Sequence, residues 1–120
     1  MLALRTLNLA RNHFAGLPSG IGALRMLEMV DLSHNRLREV PVCLLALGKL
    51  RQLCLGYNQI AALPTGLGRL KHLDIIKLEG NKLTALPDDI GTIHCQEMIL
   101  SENQLPVKNA NVRDFPFVRN

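Results

Sequence analysis

The stretch LDIIKLEGNKLTALPDDIG, Leu73 to Gly91, admits two readings that lead to different folds. Taken locally, Gly80-Asn81 between two apolar runs is the short-range signature of a β-hairpin, with Leu73–Leu78 turning back onto Leu83–Leu86. Asp88 and Asp89 would then stand in a following loop as a carboxylate pair, inviting a metal or acid–base role. Taken as one copy of a repeat, the same residues form a short strand, a bend at Asn81 and a return crossing that begins at Pro87.

The rest of the chain decides between them. Asn12, Asn35, Asn58, Asn81 and Asn103 follow one another at spacings of 23, 23, 23 and 22. Each closes the same frame: LRTLNLARNHF (4–14), LEMVDLSHNRL (27–37), LRQLCLGYNQI (50–60), LDIIKLEGNKL (73–83) and CQEMILSENQL (95–105), the last with Cys95 for its first leucine. The downstream halves recur as well, as GLPSGIGAL, EVPVCLLAL, ALPTGLGRL and ALPDDIGTI. A hairpin at Gly80-Asn81 would have to recur at Arg11-Asn12, His34-Asn35 and Tyr57-Asn58, which lack the glycine such a turn prefers. The repeat reading stands.

The frame L-x-x-L-x-L-x-x-N-x-L is the leucine-rich repeat. Its L-P-x-x-I/L-G-x-L continuation resembles the intracellular subclass found in Ras-suppressor-like, plant intracellular Ras-group and Scribble/Erbin proteins, over roughly residues 2–105. The resemblance implies an α/β solenoid, a horseshoe with short parallel strands on the concave face and turns or short 3-10 or helical segments on the convex face. It also implies scaffold or adaptor work, often near small-GTPase signalling.

The physics of the two halves agrees. In x-L-x-L-x the period is two, so the leucines face one way and the intervening residues the other, as in a strand. Stacked repeats pool those leucines into a core that no single repeat can bury. An asparagine at each strand end offers two donors and an acceptor to backbone groups left open by the bend and by the neighbouring repeat. A buried ladder of Asn12, Asn35, Asn58, Asn81 and Asn103 is therefore expected as a structural device. Pro and Gly in the second half disfavour long helices.

Composition bounds the rest. The chain has 120 residues, room for one modest domain, with four aromatic residues and no Trp, so its core is aliphatic. Residues 1–71 carry nine basic and three acidic side chains, and 72–120 carry five and seven. That polarity can steer a charged partner, but the dense basic run with interleaved aromatics of a nucleic-acid face is missing. Cys43, Cys54 and Cys95 are odd in number and form no C-x-x-C pair, which favours free thiols in a reducing compartment. No signal-like start, membrane-length apolar run or N-x-S/T sequon is read, so a cytoplasmic, intracellular chain without membrane insertion is expected.

The residues able to carry chemistry are better explained by the repeat. Asp31, Ser33 and His34 name the members of a hydrolytic triad, yet D-L-S-x-N is an ordinary filling of the strand. Asp88 and Asp89 suit the first turn of a convex segment. The four histidines occupy different repeat positions, scattered from the cysteines, so no zinc site is expected. No phosphate-binding glycine loop is present, and the reading is of a non-enzyme without cofactor or metal.

The open face then holds the interest. Its columns are Thr6, Met29, Gln52, Ile75 and Glu97; Asn8, Asp31, Cys54, Lys77 and Ile99; and Ala10, Ser33, Gly56, Glu79 and Ser101. Arg11, His34, Tyr57, Gly80 and Glu102 lie just beyond. Partner contacts are expected from Met29, Asp31, Gln52, Cys54, Tyr57, Ile75, Lys77, Glu79, Glu97 and Ile99, a mixture of anchors and polar surround. Residues 1–105 are expected to form a repeat domain of about five copies. Residues 106–120 would form a partial cap, with Phe115, Phe117 and Val118 folded back, or a mobile tail. With little before Leu4 to cover the first repeat, its end would invite self-association. Two alternatives remain beside the adaptor: the recognition part of a larger multidomain enzyme assembly, and a structural, self-associating repeat fragment.

Overall fold

The computed structural model describes residues 3–105 and 117–119. Its spine is one parallel sheet of strands taken in chain order: β1 (Thr6–Asn8), β2 (Met29–Asp31), β3 (Gln52–Cys54), β4 (Ile75–Lys77), β5 (Glu97–Ile99) and β6 (Val118–Arg119). The register advances by the repeat length, pairing Leu7 with Val30, Val30 with Leu53, Leu53 with Ile76 and Ile76 with Met98. Gly80-Asn81 lies past β4 and makes no hairpin; the sheet pairs β4 with β3 and β5.

Side chains alternate across each strand as the period of two requires. Val30, Leu53, Ile76 and Met98 are fully buried, as are Leu32, Leu55, Leu78 and Leu100 two positions on. Leu44, Leu67 and Ile90 close the core from the convex side. Burying one such side chain contributes about 1.5–3 kcal/mol, so the column of leucines is the main source of stability.

The return crossings are short 3-10 segments, Ser19–Ala23, Val42–Ala46, Leu67–Arg69 and Asp88–Thr92. Three of them start directly after proline, at Pro18, Pro41 and Pro87, whose fixed φ is compatible with a turn and whose missing N–H is not needed there. The third starts after Gly66, held at φ 93° with its N–H donated to Asp89 Oδ2 at 3.1 Å. Asp89 thus ties two convex crossings together. Each crossing closes with an i−3 bond, as from Leu47 N–H to Leu44 O at 3.1 Å.

The asparagines supply the lateral stitching. Asn58 Nδ2 donates to Leu55 O and Leu32 O, both at 3.0 Å, and to Gly56 O at 3.3 Å, while its Oδ1 accepts from Leu37 N–H at 3.0 Å. Asn35 and Asn81 repeat this set one repeat before and after. Each interior asparagine therefore binds its own bend and its predecessor. The end rungs differ: Asn12 is exposed and reaches Leu9 O and Ala10 O of its own repeat, and Asn103 is half-buried. Burial of all five fails at the ends because a rung needs a neighbour on both sides.

The first repeat is correspondingly thin. Leu7, Leu9, Leu17, Ile21 and Leu24 are only partly buried, Leu4 is 42% exposed and Phe14 38%. At the other end β6 continues the sheet in parallel with β5, and Met98↔Val118 sets Val118 in line with the interior strand positions. Phe117 and Val118 pack against the core. Phe115 and the rest of residues 106–116 lie outside the described residues.

Candidate protein-interaction surface

Each strand from β1 to β5 ends in the same unusual bend. The residue before each asparagine is left-handed: φ is 61° at Arg11, 57° at His34, 58° at Tyr57, 70° at Gly80 and 57° at Glu102. For a residue with a Cβ this conformation costs about 1–2 kcal/mol, and the asparagine bonds one position on offset it. Only at Gly80 is the conformation nearly free. The bend throws this row of side chains onto one rim of the concave face.

On that face the residues expected to meet a partner are placed as the alternation requires. Met29, Asp31, Gln52, Ile75, Lys77, Glu79, Glu97 and Ile99 are half-buried between their neighbours, and Tyr57 is 42% exposed. Cys54 departs from the expectation of an open thiol. It is 8% exposed, lies beside Gln52, whose Nε2 points at Sγ from 3.9 Å, and its pKa is raised first by burial and then by Asp31. Short side chains on a close-packed sheet sink below longer neighbours, so Cys54 is floor rather than contact.

The two rims are built differently. At the strands' N-terminal ends charges pair off between repeats, with Arg5 to Glu28 and Arg51 to Asp74 both at 3.0 Å. At the C-terminal ends the packing is aromatic and reciprocal. The third repeat reads Gly56-Tyr57 where the fourth reads Glu79-Gly80. Glu79 fills the space above Gly56, and the Tyr57 ring fills the space above Gly80; a Cβ at either glycine would collide with the side chain lying over it.

Tyr57 is thereby laid across the fourth repeat. Its hydroxyl donates to Glu102 Oε2 at 2.6 Å, and its ring stacks on His34 with centroids 4.8 Å apart and planes 16° from parallel. The bond to Glu102 raises the Tyr57 pKa, and that carboxylate's charge adds to the rise. Burial raises the Glu79 carboxyl above its ordinary value, with Lys77 opposing and Glu102 adding. His34 and Glu102 were expected only as rim residues, and their link through Tyr57 is new. The complementary dipeptides Gly-Tyr and Glu-Gly at one frame position are the signal that would have exposed it.

The triad reading dissolves in this geometry. Ser33 Oγ donates to Asp31 Oδ1 at 2.7 Å, while the His34 ring lies against Tyr57. Among the described residues no group of three His, Cys, Asp or Glu side chains is arranged to hold a metal. Asp88 and Asp89 stand on the convex side, Asp89 accepting the Gly66 N–H.

A family model described as leucine rich repeat matches residues 3–60. No curated protein matches the chain. Among solved structures, a leucine-rich-repeat protein of Leptospira interrogans is similar at 28% identity and a TM-score of 0.72, over 92% of this chain and 34% of that one. An internalin of Listeria monocytogenes has the same fold, with a TM-score of 0.73 at 24% identity over 88% of this chain and 31% of its own. The chain therefore spans about a third of either protein's length. Fold and likenesses together support a leucine-rich-repeat protein, a class that generally acts through protein–protein interaction. Among the described residues no helix is long and apolar enough to cross a membrane.

Proposed function

We propose that the chain is a non-enzymatic interaction module that binds a protein partner on the concave sheet and serves as an intracellular scaffold or adaptor. The observation that carries this reading is Tyr57, an aromatic side chain 42% exposed yet held from both sides by His34 and Gly80. A rigid aromatic loses little entropy on binding, which is why such residues dominate interface energetics. Met29, Ile75 and Ile99 supply apolar area around it, and Asp31, Gln52, Lys77, Glu79 and Glu97 the polar surround. Cys54 contributes to the floor. The repeat subclass that the L-P-x-x-I/L-G-x-L segments resemble points to a setting near small-GTPase signalling. Three free cysteines, Cys43, Cys54 and Cys95, suit a reducing compartment. Residues 1–105 are the repeat domain, and Phe117 and Val118 cover its last strand.

A photo-crosslinking residue at position 75 tests the concave site against one at position 42, on the convex side, where Val42 is 72% exposed. The proposal expects a discrete crosslinked protein from position 75 and none from 42; the reverse pattern refutes it. A second reading, self-association through the first repeat, is favoured by exposed Leu4 and Phe14. It requires the solution mass to rise with concentration and to stop rising when Phe14 is replaced by Ser.

A further inference from the structure

The concave face is not electrostatically uniform. Among the described residues, Arg5, Arg51 and Arg119 are ion-paired to Glu28, Asp74 and Glu97. Glu79 and Glu102, at the opposite ends of the same strands, have no cation within ion-pair distance among those residues. Lys77 acts on Glu79 through space, and Asp31 lies across the face from it. His34 is committed to the Tyr57 ring. Glu79 is also half-buried, and the loss of hydration outweighs what Lys77 and His34 return through space. Among the described residues no cation in ion-pair contact completes its charge. Tyr57 stands beside these carboxylates, and the half-buried Ile99 and then Ile75 lie farther along the face toward the strands' N-terminal ends.

Deepening the concave-face reading, on which it rests, we propose that the partner is a protein segment that brings an arginine or lysine, flanked by apolar residues, to Tyr57, Glu79 and Glu102. The cation completes the charge that the face leaves open, its stem lies against the exposed edge of Tyr57, and the apolar neighbours extend along the face to Ile99 and Ile75. The +4 net charge of the whole chain does not oppose this locally, because residues 72–120 carry the acidic excess. The site is specific to these repeats: Glu79 occupies its place because residue 56 is Gly, and Tyr57 its own because residue 80 is Gly.

The chain carries its own reporter, since Tyr57 is its one tyrosine and it has no tryptophan. A displayed library of random peptides is selected on the intact chain. Enriched peptides free of Tyr and Trp are then titrated while Tyr57 emission is followed. The expectation is enrichment of Arg or Lys beside apolar residues, a change in Tyr57 emission on binding, and a loss of about tenfold or more in affinity for the Glu79→Gln/Glu102→Gln variant. Replacing the peptide's arginine by neutral, isosteric citrulline should lose as much. Peptides that bind the concave face, as judged by loss with Ile75→Asp, but need no cation overturn this inference and leave the concave-face reading intact. Binding indifferent to Ile75→Asp, or no enrichment at all, counts against both.

Discussion

Asn35, Asn58 and Asn81 and the residues immediately before them, His34, Tyr57 and Gly80, are neighbours in sequence and opposites in role. The asparagine row is the same in every repeat, and at each interior rung it is buried between repeats and makes the same four hydrogen bonds. The preceding row shares one backbone conformation but differs in side chain each time and faces outward. Sameness along the chain marks what the stacking of repeats demands. Difference marks where the surface is free to be individual, and here the individual residues interlock into one aromatic and acidic rim.

The largest effect belongs to the constant row. Asn58→Ala removes four hydrogen bonds, and the buried Leu37 N–H loses its partner. Leu32 O, Leu55 O and Gly56 O each lose one of two donors and keep, respectively, Asn35 Nδ2, Asn81 Nδ2 and the His34 N–H. The fold should be destabilised by about 2–3 kcal/mol. Asn12→Ala, at an exposed rung, should cost under about 1 kcal/mol. Urea unfolding of the two variants checks the contrast, and equal losses would break it.

Next is Gly80→Ala. A Cβ there is strained at φ 70° and collides with Tyr57, so a loss of about 1–2 kcal/mol is expected. The collision, unlike the backbone strain, disappears with the ring. The double variant Tyr57→Ala/Gly80→Ala should therefore be less destabilised than the two single losses added together, in a double-mutant cycle.

A smaller effect sharpens the rim itself. The bond to Glu102 raises the Tyr57 pKa, so ultraviolet titration should place tyrosinate formation above the ordinary value and Glu102→Gln should bring it back down. The sign for stability follows from proton binding: between the ordinary and the raised value the folded state holds the proton that the unfolded state has lost. Any stabilisation from this bond is thus present at neutral pH and disappears as the solution becomes strongly alkaline.

The smallest effect concerns Cys95, which stands where the other repeats have leucine and whose pKa is pushed by burial up to about 11. Its thiol should resist alkylation at mildly alkaline pH until the chain is unfolded, as measured by mass spectrometry of the labelled peptide. Its contribution to stability also falls as pH rises from about 9 to 11.

Much of this was legible in the letters. A 23-residue period fixes a parallel stack, and alternation within the frame assigns Leu55 or Leu78 to the core and Ile75 or Lys77 to the open face. The prolines marked where three convex crossings begin. Three features were not legible, each because it depends on neighbours across repeats. Cys54 alternates outward like Lys77, but its depth depends on the longer side chains around it. Asn12 and Asn103 match the interior rungs letter for letter, but a rung's burial depends on having a repeat on either side. The link from His34 through Tyr57 to Glu102 spans residues 34 to 102, and only the vacancy at Gly80 lets it form.

The central claim is that the row beside the asparagines binds while the asparagines hold the fold. Tyr57→Ala tests it most directly, through affinity for the protein crosslinked at position 75, measured with the urea midpoint taken on the same sample. The account predicts affinity reduced about tenfold or more while stability changes by less than about 1 kcal/mol. Undiminished affinity, with the same intact fold, would contradict it.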